Sequence, residues 1–323
     1  MTETQKQRPI LIIDGANLFI RAWSAYPQMS SHGYQMGGCI GFLKTLRRLV
    51  DEQCPSSVYI AWEGGGSAKR RKLFPEYKLN RRPEKLNRFY GDDIPDTDDN
   101  RMHQMVTLIT MLKNVPVCQL YVSDCEGDDV VAYLCRAKFR NVDKVIASSD
   151  KDMYQLLDDN TKIYNLHKKT YVLNEHVLKD FRVTAKNFAI AKALCGDPSD
   201  NIPGVKGMGF KTAVKTFPML GTEDDILLQD VFDYAAAHRD ESKSCQRVLD
   251  EIDNVRRNWK LVYLDGGMLS NDQAEKIDYV MEGFKPKISQ SNLIKQLVAE
   301  GIGDFDVDQF FFPFRCITGL TSG

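Results

Sequence analysis

Short apolar runs that end at acidic or small polar residues mark the first half of the chain. Four of them predict buried strands, at 10–13, 58–62, 117–122 and 144–147. Helical patterns separate these runs, at 17–26, 41–52, 102–113 and 128–139. Strands that alternate with helices favour a mostly parallel sheet flanked by crossover helices. Ligands of such sheets bind beyond the carboxyl ends of the strands.

The second half has a different pattern. After about residue 182 the strand signals stop, and helical patterns follow at 184–195, 224–237 and 242–264. The sequence therefore predicts an α/β catalytic domain over residues 1–182 and a mainly helical part over residues 183–323.

A charged excursion interrupts the α/β pattern after Ser67. Nine lysines and arginines lie between residues 69 and 88, and an acidic stretch follows at 92–99. Aromatic residues are interleaved with the charges: Phe74, Tyr77, Phe89 and Tyr90. Basic residues mixed with aromatic ones favour a nucleic-acid channel with stacking surfaces. A solvated charged loop is the alternative interpretation.

Composition and charge narrow the class of protein. The 323 residues are 43% hydrophobic and 27% charged, which is ordinary for a globular protein. Neither a membrane span nor an N-terminal signal peptide is expected. The eight cysteines form no C-x-x-C pair, so we expect reduced thiols, no zinc site and a cytoplasmic location. A net charge of −1 is evidence neither for nor against nucleic-acid binding.

Acidic residues recur where the predicted strands end. The candidates are Asp14, Glu63, Glu126, Asp128, Asp129, Asp150, Asp152, Asp197 and Asp200. Two carboxylates 4 Å apart repel by about 4 kcal/mol at an effective dielectric near 20, so such a cluster needs cations. Ligands that are all oxygen favour Mg²⁺, and two such ions can support phosphodiester hydrolysis. Each acid alone could instead be a turn residue or a helix N-cap.

A glycine-punctuated string at 196–216 is the most specific in the chain. Its glycines, Gly204, Gly207 and Gly209, are expected to allow close backbone approach and positive φ. Lys206, Lys211 and the helix that begins near Thr212 could face phosphates. The string resembles a helix-hairpin-helix element, which grips the nucleic-acid backbone. A plain turn between two helices is the alternative.

Five motifs, in order along residues 10–215, resemble the 5′ nuclease superfamily. This superfamily includes flap endonucleases, the 5′ nuclease domain of bacterial DNA polymerase I and stand-alone bacteriophage 5′ exonucleases, which look closest. The matching strings are IDGAN at 13–17, PEYKxNR at 75–81, ExDD at 126–129, SDKD at 149–152 and GDxxDNIPGV at 196–205.

The resemblance implies a PIN-like fold, a helical arch at about 67–104 and two metal subsites. One subsite would contain Asp14, Glu63, Glu126, Asp128 and Asp129, with Asp150 shared or nearby. The other would contain Asp152, Asp197 and Asp200. Many members carry aspartate where this chain has Glu63, which leaves its mode of ligation open.

The resemblance also implies roles for the basic and aromatic residues. Lys78 and Arg81 match residues at the base of the arch that contact the scissile phosphate, and Arg21 matches another phosphate contact. Tyr77 matches a base-stacking position. The glycine turn matches an element that binds duplex DNA and a K⁺ ion.

We therefore predict a Mg²⁺-dependent 5′-3′ exonuclease and flap endonuclease, with Mn²⁺ as an alternative ion. Branched or 5′-flap DNA, and RNA–DNA hybrid primers, are the expected substrates. A replicative polymerase or a single-strand-binding protein is the expected partner of a monomeric enzyme in a bacterial or phage-infected cell. Two alternatives remain: a PIN-like single-strand ribonuclease and a non-catalytic branched-DNA-binding protein.

Overall fold

The computed structural model describes residues 8–80 and 98–322. Arg81 and the middle of the expected arch, residues 81–97, lie outside the described residues. Two helices flank the gap, at Ala68–Leu73 and Asp98–Leu112.

A six-stranded sheet with the order β3-β2-β1-β4-β5-β6 organises the molecule. Its strands are β1 (Ile10–Asp14), β2 (Ser57–Trp62), β3 (Cys118–Tyr121), β4 (Lys144–Ala147), β5 (Thr161–Asn165) and β6 (Thr170–Val172). The first five are parallel, and β6 runs antiparallel to β5. The sheet is thus mostly parallel, as the alternation of strands and helices predicts.

Helices account for most of the remaining chain. They are α1 (Gly15–Ala25), α2 (Gly37–Gln53), α3 (Ala68–Leu73), α4 (Asp98–Leu112), α5 (Gly127–Tyr133), α6 (Asn174–Phe181), α7 (Phe188–Cys195), α8 (Phe210–Thr216), α9 (Leu228–Ala237), α10 (Lys243–Asp250), α11 (Ile252–Val262), α12 (Asn271–Gly283), α13 (Gln290–Ala299) and α14 (Val307–Phe311). Four two-residue strands pair as β7 (Gly196–Asp197) with β8 (Ile202–Pro203), and as β9 (Lys287–Ile288) with β10 (Thr321–Ser322). Among the described helices, none has the length and apolar character needed to cross a bilayer.

The central strand β1 divides its side chains between two hydrophobic cores. Ile10 and Ile12 face one core, which also contains residues of α5, α7 and α11. Leu11 and Ile13 face the other, built with α1, α2 and the C-terminal residues up to Ile317. Side chains alternate along a strand, so an all-apolar run fills both faces of the sheet. The first core also crosses the predicted boundary between residues 182 and 183.

The element predictions are wrong in three places. The strands β5 and β6 were not predicted, because polar residues interrupt their short apolar patterns. The single helix expected over 242–264 is two helices, α10 and α11, which meet at Glu251. Short strands also occur after residue 182, although no strand was expected there.

Candidate metal and phosphate site

The acidic candidates gather at the carboxyl edge of the sheet. Asp14 is the last residue of β1, and Glu63 directly follows β2. In-register pairing of Ile13 with Ile60 and Ala147 brings the ends of β1, β2 and β4 level with one another. Because these strands are parallel, the residues that follow them share one edge.

Asp14 is buried and serves as the N-cap of α1. Its Oδ1 accepts a hydrogen bond from the Asn17 amide at 3.0 Å, and its Oδ2 accepts one from the Ser148 hydroxyl at 2.9 Å. Burial raises the pKa of Asp14 to about 6, even though these hydrogen bonds oppose the shift, and the charges of Asp150 and Glu63 add to it. Asp14 therefore combines the capping role with a destabilised negative charge.

Asp128 and Asp150 share this environment. Burial, followed by the charges of Asp150 and Asp14, raises the pKa of Asp128 well above its usual value. Asp150 caps the short 3₁₀ helix Lys151–Leu156 through its Oδ1, which accepts from the Asp152 amide at 2.9 Å. In residues 8–80 and 98–322, no lysine or arginine forms an ion pair with Asp14, Asp128 or Asp150. These three acids thus repel one another without a direct ion-pair partner among the described residues, although the charge of Lys78 opposes part of the rise in the pKa of Asp128.

Glu63 is exposed at the same edge. Its Oε2 accepts a hydrogen bond from the Gly127 amide at 3.0 Å, which ties the end of β2 to the first turn of α5. Its charge contributes to the raised pKa of Asp14.

Asp129 has a different environment from its neighbours. Arg70, which is 1% exposed, donates to Oδ2 of Asp129 at 2.6 Å and to Oδ1 at 2.8 Å. Asp129 is equally buried and also accepts from the Glu126 amide at 3.2 Å. Both carboxylate oxygens of Asp129 are thus held by Arg70 in a buried ion pair, and the role expected for Asp129 at the metal site stays a prediction.

Lys78 joins two further acids. Its Nζ lies 2.8 Å from Glu126 Oε2 and 3.9 Å from Asp200 Oδ2, and its amide donates to the Asp200 carbonyl at 2.9 Å. Burial alone would raise the pKa of Glu126, but Lys78 and Arg70 outweigh it and lower that pKa. Lys78 also has φ of 59°, an uncommon value for a residue with a side chain.

Tyr77 does not present a stacking surface in this arrangement. Its ring is 6% exposed within the hydrophobic core, and its hydroxyl donates to Glu126 Oε2 at 3.0 Å. In this structure Tyr77 positions Glu126, and the base-stacking role expected for Tyr77 stays a prediction. The sequence pattern could not reveal this, because an aromatic residue beside basic ones fits either role.

A second acidic group lies beside the first. Single carboxylate oxygens of Asp152, Asp197 and Asp200 all lie within 4.8 Å of one another. Lys192 of α7 forms ion pairs with Asp152 and, at 2.7 Å, with Asp197. Burial lowers the pKa of Lys192, but the two aspartates outweigh it, so the ammonium stays protonated. A lone lysine in the otherwise apolar helix FAIAKALC was the overlooked signal for this cation.

The glycine string forms a hairpin and a turn between α7 and α8. Gly207 has φ of 76°, as expected, whereas Gly204 is required by close approach: a Cβ there would lie 2.0 Å from the Cys195 carbonyl oxygen. Position 209 does not require glycine, because its φ is −103° and a Cβ there would meet open space. Lys206 and Lys211 are exposed and Thr212 is half-buried, so this turn presents positive charge to solvent.

Arg21 lies on α1, two turns after Asp14. Its guanidinium lies 3.0 Å from Nδ1 of His167, which follows β5 at the same sheet edge. The Ser149 hydroxyl accepts from the His167 amide at 3.1 Å, so this turn adjoins the Asp150 loop.

Comparison with known proteins identifies the family. A profile described as the 5′-3′ exonuclease, N-terminal resolvase-like domain matches residues 9–182. The chain belongs to the 5′-3′ exonuclease family. A 5′-3′ exonuclease of Aquifex aeolicus is 30% identical over 222 residues, which are 68% of this chain and 72% of that protein. DNA polymerase I of Bacillus subtilis is 28% identical over 233 residues, or 70% of this chain and 25% of the polymerase.

Solved structures agree with this family at the level of the fold. The bacteriophage T5 D15 flap endonuclease, solved with DNA and metal ions, matches with a TM-score of 0.69 and 20% identity, over 85% of this chain and 98% of that one. Flap endonuclease-1 from Methanococcus jannaschii matches with a TM-score of 0.54 and 14% identity, over 96% of this chain and 93% of that one. The α/β fold with a mostly parallel sheet is therefore shared with 5′ nucleases.

Proposed function

We propose that this member of the 5′-3′ exonuclease family is a Mg²⁺-dependent enzyme that hydrolyses phosphodiesters near the 5′ ends of branched DNA. One observation carries the proposal: buried or half-buried acids converge on one sheet edge, and three of them lack an ion-pair partner among the described residues. Repulsion between neighbouring carboxylates disfavours their charged forms and raises their pKa values. Acids with shifted pKa values in a cleft are typical of functional sites.

The donor set fits divalent ions that prefer oxygen. Asp14, Asp128 and Asp150, with Glu63 and Glu126 nearby, would hold one ion, and Asp152, Asp197 and Asp200 would hold the other. Mg²⁺ suits this set because it binds carboxylates and keeps several waters, and Mn²⁺ takes similar ligands. The ions would supply Lewis-acid stabilisation of the reacting phosphate and activation of the attacking water.

The protein's own cations would complete the site. Lys78 stands between Glu126 and Asp200, from where its ammonium can offset negative charge that develops on the phosphate. Arg21 and Arg81 are proposed as further phosphate contacts. Asp129 and Arg70 would hold α5 and α3 in the positions that direct Glu126 and Lys78 toward the substrate.

We further propose that the turn between α7 and α8 holds duplex DNA. Exposed Lys206 and Lys211 support this, because lysines on a backbone turn contact phosphates rather than bases. The catalytic core of Rad2, solved in complex with DNA substrate, has a related fold with a TM-score of 0.52. A K⁺ ion bound by the backbone carbonyls of this turn belongs to the same proposal.

Product mapping tests the function. A labelled 5′ flap, a nicked duplex, an RNA-primed duplex and an unstructured RNA are incubated with Mg²⁺, with Mn²⁺ or with EDTA. We expect cleavage of the branched DNA near its 5′ end with either ion and none in EDTA. Preferential cleavage of the unstructured RNA would instead support a single-strand ribonuclease.

The variant Asp150→Asn tests the metal assignment. Asn can still accept the Asp152 amide hydrogen bond, so the 3₁₀ turn should persist. We expect single-turnover cleavage to fall by about 10³-fold or more, while binding of the flap duplex stays within about threefold. Cleavage at the wild-type rate would remove Asp150 from the metal site.

A further inference from the structure

A cationic pocket lies between α1, α2 and the turn that joins β5 to β6. Its volume is about 390 Å³, and its charged lining residues are Arg21, Lys44, Arg48 and Lys169. None of its described lining residues is acidic. We call this the α1–α2 pocket.

Among the described residues, Glu52 is the one acid that forms an ion pair with a basic residue of the α1–α2 pocket. The Arg48 Nε is buried without a hydrogen-bond partner, and it lies 3.8 Å from Glu52 of its own helix. The Lys44 ammonium donates to the Tyr26 hydroxyl at 2.7 Å. A buried donor that lacks a partner is unusual in native structures and indicates a missing ligand or water.

Like charges also face each other across the pocket. Burial, and then the charge of Arg48, lowers the pKa of Arg21. Lys169 has φ of 54°, an uncommon backbone conformation for a lysine that sits on the pocket's rim. Four basic side chains around one cavity that has no acidic lining residue favour an anionic ligand.

The position of the pocket relates it to the catalytic edge. The turn after β5 is bonded to Ser149, next to Asp150, through the His167 amide. Leu166 of the pocket lies in the hydrophobic core formed with α1 and α2, whereas Val205 and Met208 of the glycine turn lie in the core on the opposite face of the sheet. The α1–α2 pocket and the glycine turn therefore lie on opposite faces of the sheet.

We propose that the α1–α2 pocket binds a phosphate group of the nucleic acid, on the face of the sheet opposite the glycine turn. This rests on the proposed function, since it takes nucleic acid as the anion. The phosphate could be an internal diester of the backbone or a terminal monoester. Guanidinium and ammonium donors suit both, through paired hydrogen bonds and charge.

Binding of a nicked and a flap duplex to Lys44→Ala, Arg48→Ala and the double variant tests the pocket. Lys295→Ala is the matched control, because it removes the same charge from an exposed position on α13. Dissociation constants are measured by fluorescence anisotropy in EDTA over a series of salt concentrations. For the double variant we expect about tenfold weaker binding. The slope of the logarithm of affinity against the logarithm of salt concentration should also fall by the amount that about two lost phosphate contacts predict. Affinity and salt dependence equal to those of Lys295→Ala would overturn the proposal.

Two further arms make the result specific. Duplexes with a 5′-phosphate and with a 5′-hydroxyl separate the sources: an equal loss identifies a backbone diester, and a loss confined to the phosphorylated duplex identifies a terminal monoester. Lys169→Gly removes charge without altering a helix and suits the positive φ, so it should weaken binding in the same direction. Cleavage of the flap by the wild-type protein is scored separately, so failure of the pocket and failure of the nuclease function are distinguishable.

Discussion

Lys78 shows how one side chain can serve both the fold and the chemistry. Its backbone amide holds Asp200, and its ammonium contacts Glu126 at 2.8 Å, with 19% of the side chain exposed. The positive φ of 59° is an uncommon conformation for lysine, which costs roughly 1 kcal/mol or more. A strained backbone conformation persists only when the surrounding contacts fix it. Here the conformation of Lys78 directs its side chain into the acidic cluster.

Lys78→Met should slow cleavage and leave binding largely unchanged. The variant keeps the length of the side chain but removes the charge that offsets developing negative charge on the phosphate. We expect a decrease of about 10²-fold in the single-turnover rate, measured on a labelled flap. Lys72→Met removes an exposed charge from the same segment and is the control. A change confined to the dissociation constant would contradict this role for Lys78.

Asp14 illustrates a cost in stability that the site imposes. Its pKa is raised to about 6 in the folded protein, against about 3.9 in an unfolded chain. Between these values the folded state binds more protons, so this group's contribution to stability falls as the pH rises from about 4 to about 6.

Asp14→Asn should therefore stabilise the metal-free protein above pH 6 while abolishing cleavage. The gain in the free energy of unfolding in EDTA should reach up to about 3 kcal/mol and disappear below about pH 4. Urea unfolding of both proteins across this pH range measures the difference. A gain that does not depend on pH would show that the charge of Asp14 is not its cause.

Helix α7 brings a cation to the second acidic group. Lys192 reaches Asp152, which lies in the 3₁₀ helix Lys151–Leu156, and Asp197, which lies in β7, so three elements are tied together by one ammonium. A divalent ion would compete with that ammonium for the same oxygens. When no metal is bound, the positive charge of Lys192 thus offsets the negative charges of the aspartates that it contacts.

Lys192→Met should destabilise the protein in EDTA and increase its response to Mg²⁺. Without the competing ammonium, we expect about tenfold tighter Mg²⁺ binding, or about 1.4 kcal/mol of added stabilisation at saturating ion. Thermal unfolding with and without Mg²⁺ measures this added stabilisation. The control is Lys186→Met, a substitution at an exposed position just before α7. An equal Mg²⁺-dependent rise in melting temperature for both variants would argue against competition.

The two hydrophobic cores on either side of one sheet make the described chain interdependent. C-terminal aromatic residues, including the fully buried Phe314, pack in the same core as α1 and α2. Helix α1 carries Arg21 and begins directly after its N-cap, Asp14. The last part of the chain thereby supports the face that carries the α1–α2 pocket. The first core joins β-strands to α7 and α11 in the same way.

Phe314→Ala should destabilise the whole molecule rather than only its C-terminal part. Loss of a buried phenylalanine costs about 3–5 kcal/mol. Phe312→Ala, at a side chain that is 60% exposed, should change stability by less than about 0.5 kcal/mol. Urea unfolding followed by tryptophan fluorescence and by circular dichroism should give coincident transitions for each variant. Separate transitions would mean that the C-terminal part unfolds on its own.

The sequence by itself determined the sheet core and the acids that gather at its carboxyl edge. Uninterrupted apolar runs such as Ile10–Ile13 predict strands buried on both faces, and the acid that follows each run must lie at the carboxyl edge. The polar strands β5 and β6 escaped prediction, because their pairing depends on the neighbouring strand rather than on their own composition.

Only the tertiary structure decided which acids have cations of the protein as partners. Arg70 and Lys78 are distant in sequence from the acids they contact, and Lys192 joins the nearby Asp197 to the distant Asp152. Local patterns do not show which acids such a cation reaches. The same holds for the α1–α2 pocket, whose basic residues come from two helices and a turn. Charge repulsion within the acidic cluster follows from residue type and strand position, but its compensation depends on which side chains the fold places within a few ångströms.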